Sequence, residues 1–151
     1  MAVLVIAEHD NSVLKTSTFN AITAATNLSD DIHLLIIGKD IETLSNNAKS
    51  IYPIKKVLKC DNSKLENFIP ELSAPIISNI ANGYTHILAP ASTFGKNLLP
   101  RVSALLDITQ ISDVIEIVTE NTFVRPIYAG NAISHVETNQ NINLLTIRPT
   151  S

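Results

Sequence analysis

Tryptophan is absent from the 151-residue chain, and aromatics amount to only 5%. Single-stranded nucleic acid therefore finds no stacking platform here. A lone cysteine, Cys60, excludes both a disulfide framework and a cysteine-based metal cage. The four glycines, at 38, 83, 95 and 130, lie too far apart to form the Gly-x-Gly-x-x-Gly turn of a dinucleotide site. No apolar run approaches the roughly 18 residues that a membrane span needs. Charge is also scarce, at 17% of residues with a net charge of −3, which disfavours a protein that tracks phosphates along nucleic acid. Met1-Ala2 leads at once into Val3-Leu4-Val5-Ile6-Ala7, with neither a basic signal region nor an Arg-rich transit segment. The expected compartment is the cytoplasm, or the mitochondrial matrix if a presequence has been removed.

Apolar residues make up 45% of the chain, and the length suits one domain. Disorder would require the opposite balance. Apolar runs alternate with helical patterns. Residues 2–7 form a continuous apolar run, as expected of a strand buried on both faces. A helix is expected over 16–28, a strand over 32–37 and a helix over 41–52 stopped by Pro53. A short strand over 56–60 and a helical stretch over 63–81 follow, the latter broken or kinked at Pro70 and Pro75 and ended by Asn82-Gly83. The spacing then gives a strand over 85–89 ended by Pro90 and a helix over 98–106, with Pro100 in its first turn. Beyond Asp107 the period changes to strands over 114–118, 123–128, 132–136 and 142–147. The alternation of Asn131–Glu137 suits an antiparallel strand with one wet face. The expected fold is a doubly wound α/β domain. It has a mostly parallel sheet, helices on both faces and antiparallel strands near the C-terminal edge.

Ligands of such folds sit beyond the carboxyl ends of the strands. Those ends are residues 8–12, 38–40, 60–63 and 90–96. Gly95-Lys96 invites a phosphate-loop reading, but the motif wants Gly where Pro90 stands and Ser or Thr where Asn97 stands. No two histidines among His9, His33, His86 and His135 have the i, i+4 spacing of a helical metal site. His33 and His86 read as structural. His9, between Glu8 and Asp10, is the one histidine in ligand-like company. No serine sits in a Gly-x-Ser-x-Gly elbow. Cys60 lies beside Asp61, the wrong neighbour for an activated thiolate. Asp107 and Asp113 read as caps or salt-bridge partners. Arg125, mid-strand before Pro126, either pairs with a carboxylate or faces a partner. The residues alone describe an α/β module without a catalytic constellation.

Two long blocks carry a resemblance. The first runs Phe94-Gly95-Lys96-Asn97-Leu98-Leu99-Pro100-Arg101-Val102 and continues through Gln110-Ile111-Ser112-Asp113-Val114. The second is Thr122-Phe123-Val124-Arg125-Pro126-Ile127-Tyr128-Ala129-Gly130-Asn131-Ala132. With the opening Val3–His9 they resemble the alpha subunit of electron transfer flavoprotein, across the whole chain. The resemblance implies a Rossmann-like fold of the adenine-nucleotide alpha-hydrolase type. It also implies an electron carrier rather than an enzyme. The intact heterodimer would hold FAD and carry electrons from acyl-CoA dehydrogenases of fatty acid beta-oxidation, and related dehydrogenases, to a quinone oxidoreductase. Residues 1–151 would be the first domain of the alpha subunit. Most of the FAD site would lie in a further, C-terminal domain absent from this chain, and AMP would belong to the partner beta subunit. No FAD-binding residue of the family has a counterpart here. The expected role is a scaffold that contacts the beta subunit or the missing domain through Phe94, Lys96, Arg101, Arg125, Tyr128 and Asn131. The alternative is a stand-alone adenine-nucleotide binder using Ala7–Asn11 and Pro90–Phe94, and a hydrolase ranks below both.

Overall fold

A computed structural model describes residues 1–149. The domain boundary placed at Ser151 lies outside the described residues. Six parallel strands form the central sheet: β1 (Ala2–Ile6), β2 (Asp31–Gly38), β3 (Ile54–Asp61), β4 (His86–Pro90), β5 (Gln110–Val114) and β9 (Asn143–Ile147), in the order β3-β2-β1-β4-β9-β5. A separate antiparallel sheet joins β6 (Glu116–Thr119), β7 (Thr122–Ile127) and β8 (Ala132–Glu137). The expected fold class is what the chain adopts.

The apolar runs became central strands because both of their faces are covered. Val3, Val5, Leu34 and Ile36 face a core closed by α1 (Thr16–Ala25) and α2 (Glu42–Ala48). Leu4, Ile6 and Leu35 face a second core closed by α3 (Pro70–Ile80) and α4 (Thr93–Leu106). Phe123 carries β7 into the first core, where Ile117 and Val136 pack beside it, so the small sheet docks as a lid over one edge.

Four local expectations need correction. α2 ends at Ala48 rather than at Tyr52, and a turn brings Ile51 back over the core. The 63–81 stretch splits, as expected, into a 3₁₀ turn (Ser63–Leu65) and α3, but Pro75 lies inside α3 without ending it. α4 starts at Thr93, so Pro100 is in mid-helix rather than in its first turn. Pro100 is exposed, which leaves the freed Lys96 carbonyl within reach of water. The expected strand 114–118 is the junction of two strands, β5 and β6, which belong to different sheets. Asp113 (φ 61°) turns the chain between them, with its N–H on Thr146 Oγ1 at 2.7 Å and its carboxylate on Arg148 at 3.2 Å.

Candidate functional site

β1 and β4 are neighbours, and the chain leaves them in opposite directions across the sheet, so the crevice beyond their carboxyl ends is the topological switch point. Three consecutive residues beyond β1 divide the work there. The backbone of Glu8 is locked to α1: its N–H donates to Thr18 Oγ1 at 2.8 Å, and its carbonyl accepts from the same hydroxyl at 2.9 Å. One carboxylate oxygen, Oε1, accepts from Ser17 Oγ at 2.7 Å and from Ser92 Oγ at 2.8 Å. A single side chain thus joins β1, α1 and the start of α4.

His9 points elsewhere. Its Nδ1 accepts from the Asn11 N–H at 2.9 Å, which leaves the proton on Nε2, and Nε2–H donates to the Ile37 carbonyl at 2.8 Å. Asp10 accepts the N–H groups of Ser12 and Val13 at 2.9 and 2.8 Å and folds the loop on itself. These bonds hold the Asp10 carboxyl below its usual range. Between His9, Ala7, Phe68, Phe94 and Leu98 lies a cavity of about 70 Å³. Phe68 and Phe94 meet across it with ring centroids 4.6 Å apart. The two loops assigned to a nucleotide, Ala7–Asn11 and Pro90–Phe94, therefore do meet here. The space between them is far below the roughly 300 Å³ at which small-molecule pockets begin.

His86 has a comparable tautomeric lock. Nε2–H donates to the Glu120 carbonyl at 2.7 Å, and Nδ1 pairs with Thr85 Oγ1 at 2.8 Å, tying β4 to the β6–β7 turn. Burial, the largest cause, lowers both His9 and His86 below the ordinary imidazole value; the carbonyl each one faces pulls weakly the other way, as do Asp10 and Glu120. An unfolded chain takes up protons near pH 6.5, whereas the folded one holds both rings neutral to lower pH. Stability is therefore expected to fall as pH drops from 7 through 6.5, until the folded rings themselves titrate. Urea midpoints taken across that window test this, and His86→Gln should flatten the slope. A slope as steep as the wild type's would count against this origin.

The expected contact residues fall into two groups. Phe94, Lys96 and Arg101 lie along α4. Phe94 is half-buried against Phe68, Lys96 is exposed, and Arg101 reaches Glu71 of α3 at 3.1 Å. Arg125, Tyr128 and Asn131 lie on β7 and the turn after it. Tyr128 is 78% exposed, and the Asn131 N–H bonds the Tyr128 carbonyl at 3.1 Å. Arg125 meets neither a carboxylate nor open solvent alone: Nε donates to the Ser112 carbonyl at 2.8 Å and Nη2 to Ser112 Oγ at 3.3 Å, clamping the small sheet to β5. Among the described residues, no hydrogen bond or ion pair joins the two groups.

His33 is structural, between Tyr84 Oη at 2.8 Å and Asp31 Oδ1 at 2.9 Å. Among the described residues no three of His, Cys, Asp and Glu converge as a metal site requires. The residue that sequence reasoning passed over is Glu8, in favour of its neighbour His9. A carboxylate directly after a buried parallel strand, with serines at the starts of two helices, was the signal available.

Comparison with known proteins fits this architecture. The profile of the electron transfer flavoprotein domain matches residues 3–151. The electron transfer flavoprotein subunit alpha of Pseudomonas aeruginosa is 45% identical over 150 residues, which is 99% of this chain and 48% of that protein. A probable mitochondrial subunit alpha from Caenorhabditis elegans is 41% identical over 98% of the chain and 45% of its own length. The mitochondrial subunit alpha of Arabidopsis thaliana is 40% identical over the whole chain and 44% of its own length. The chain spans about half the length of the curated relatives it matches. By this match, together with the doubly wound sheet, the chain belongs to the electron transfer flavoprotein family, on its alpha-subunit side.

Proposed function

We propose that this chain is the first, N-terminal domain of an electron transfer flavoprotein alpha subunit, and that its work is assembly rather than chemistry. The observation that carries this reading is the match of nearly the whole chain to about half of each alpha-subunit relative. The partner would be a beta subunit, with AMP bound on that side. FAD would be held largely by the other part of the alpha subunit. The 70 Å³ switch-point cavity cannot admit a flavin, so no residue here is assigned to it. Flavin supplies one- and two-electron chemistry, and the protein around it supplies orientation and charge. The intact complex would pass electrons from acyl-CoA and related dehydrogenases to a quinone oxidoreductase, acting as a carrier rather than an enzyme, in the bacterial cytoplasm or the mitochondrial matrix. Among the described residues no helix is long and apolar enough to cross a membrane.

Of the six residues proposed as contacts, Lys96, Tyr128 and Asn131 are exposed. Arg101 is partly engaged by Glu71, and Arg125 and Phe94 serve the fold itself. Tyr128 is the sharpest probe, because a large aromatic side chain left in water is what an interface would cover. Tyr128→Ala is expected to leave the urea midpoint unchanged and to reduce co-purification with a co-expressed beta subunit several-fold. Undiminished co-purification would take Tyr128 out of the interface. If the wild-type chain also failed to co-purify, the assembly role itself would fall.

A further inference from the structure

We infer that Glu8 is the chain's own anion at the switch point, and that its carboxylate closes this crevice to phosphate-bearing ligands. The carboxylate is not simply a loop side chain near solvent. Its Oε1 is fixed by two hydroxyls from two different helices, Ser17 in the first turn of α1 and Ser92 at the start of α4. Ser92 is the residue that would ordinarily turn its oxygen back onto an N–H of its own helix, yet it makes no such cap and donates to Glu8 instead. The first intrahelical bond of α4 is Lys96 N–H to the Ser92 carbonyl at 2.9 Å, so the N–H groups of Thr93, Phe94 and Gly95 precede the helical ladder. Lys15 and Lys96 flank the two helix starts.

Two hydroxyl donors from the starts of two helices, placed where this fold class takes ligands, form a receptacle for an oxyanion. In this chain a covalently attached carboxylate fills it. A phosphate monoester approaching the same donors meets both occupancy and a like charge, and rejection of that kind is how specificity against a ligand is built. This separates the chain from a nucleotide binder on grounds other than cavity size, and it does not depend on which complex the chain joins.

A purely structural tie between β1, α1 and α4 would also be lost on removing Glu8, so the discriminating readout is dependence on phosphate. The wild-type chain, Glu8→Ala and Glu8→Ser are compared by urea midpoint in inorganic phosphate and in chloride at matched ionic strength. The wild type is expected to show the same midpoint in both. Both variants are expected to be less stable in chloride and to regain most of the loss in phosphate, saturably. Ser92→Ala, which keeps the carboxylate, should remain insensitive to phosphate, and adding Ser17→Ala and Ser92→Ala to Glu8→Ala should abolish the rescue. Variants whose midpoints agree in the two salts would overturn the inference, as would a wild type rescued by phosphate as strongly as the variants. Variants that fail to fold in both salts would overturn it too, because an external anion would then not replace the carboxylate.

Discussion

Gly95→Ala is expected to leave little or no folded protein. Gly95 lies in the first turn of α4, packed onto the end of β4. A β-carbon there would be closer to the Pro90 carbonyl oxygen than two non-bonded atoms can stand, and 2.9 Å from its carbonyl carbon. The obstacle is backbone at the last residue of a central strand, whose register Pro90↔Ile147 is set by β9. It has no rotamer through which to move away. Helix propensity alone would favour alanine by about 1 kcal/mol, but the clash is set against rigid atoms in a core packed to crystal-like density. A loss above about 4 kcal/mol is expected, read as insoluble expression or as a collapsed urea midpoint. Gly83 supplies the control. A β-carbon there meets nothing within 4 Å, and Gly83 is not among the residues of positive φ. Gly83→Ala should therefore hold or gain about 0.4–1 kcal/mol by restricting the unfolded chain. If Gly95→Ala folded as stably as Gly83→Ala, α4 could slide off β4, and the geometry of the switch point would not be rigid.

The same contact shows what could be read in advance. Buried parallel strands declare themselves as apolar runs, because both faces are covered, and β1, β2 and β4 were legible for that reason. The start of α4 was not legible. The apolar stripe begins at Leu98, whereas the helix begins at Thr93, because its first turn packs its backbone closely on Pro90 and carries a single apolar side chain, Phe94, too little to mark a stripe. The insertion of β9 between β4 and β5 is a pairing between residues far apart in sequence, such as His86↔Asn143, and no local pattern encodes it. The left-handed turn at Asp113 that passes the chain from one sheet to the other is likewise fixed by distant partners, Thr146 and Arg148.

The site was legible in place but not in role. The strand-end loops were the correct region, and family membership could be reached from the two long blocks. Within the triplet after β1, the sequence favours His9, because imidazole is the versatile group in general. Its two nitrogens are both committed to backbone here. Glu8 holds the position because serines 9 and 84 residues away converge on it, a coincidence visible only in three dimensions. Arg125 shows the same limit: a guanidinium in mid-strand suggests a carboxylate or a partner, and within the described residues it finds two acceptors on Ser112 of the neighbouring sheet, which no local pattern announces.

Phe123→Ala is expected to detach the small sheet. Phe123 is fully buried, and it brings β7 into the core formed by α1, α2 and the central strands. Its ring lies edge-on to His86 with centroids 6.3 Å apart, beside the His86 bond to the Glu120 carbonyl. Val136 and Ile117, its cross-strand partners, are only half-buried, so the phenyl ring is the deepest anchor of the three. Truncating such a ring costs about 3–5 kcal/mol, a large share of the roughly 5–15 kcal/mol that holds a domain folded. Below full unfolding, the loss should be uneven. Amide exchange in β6, β7 and β8 should accelerate far more than in β1, β2 and β4, because opening the small sheet leaves the central sheet's own pairings in place. Ile133→Ala, on the exposed side of β8, should change the midpoint by less than about 0.5 kcal/mol. Uniform acceleration of exchange across both sheets would mean that they unfold as one unit. In that case Arg125, His86 and the β5–β6 junction would couple the sheets more strongly than the phenyl ring does.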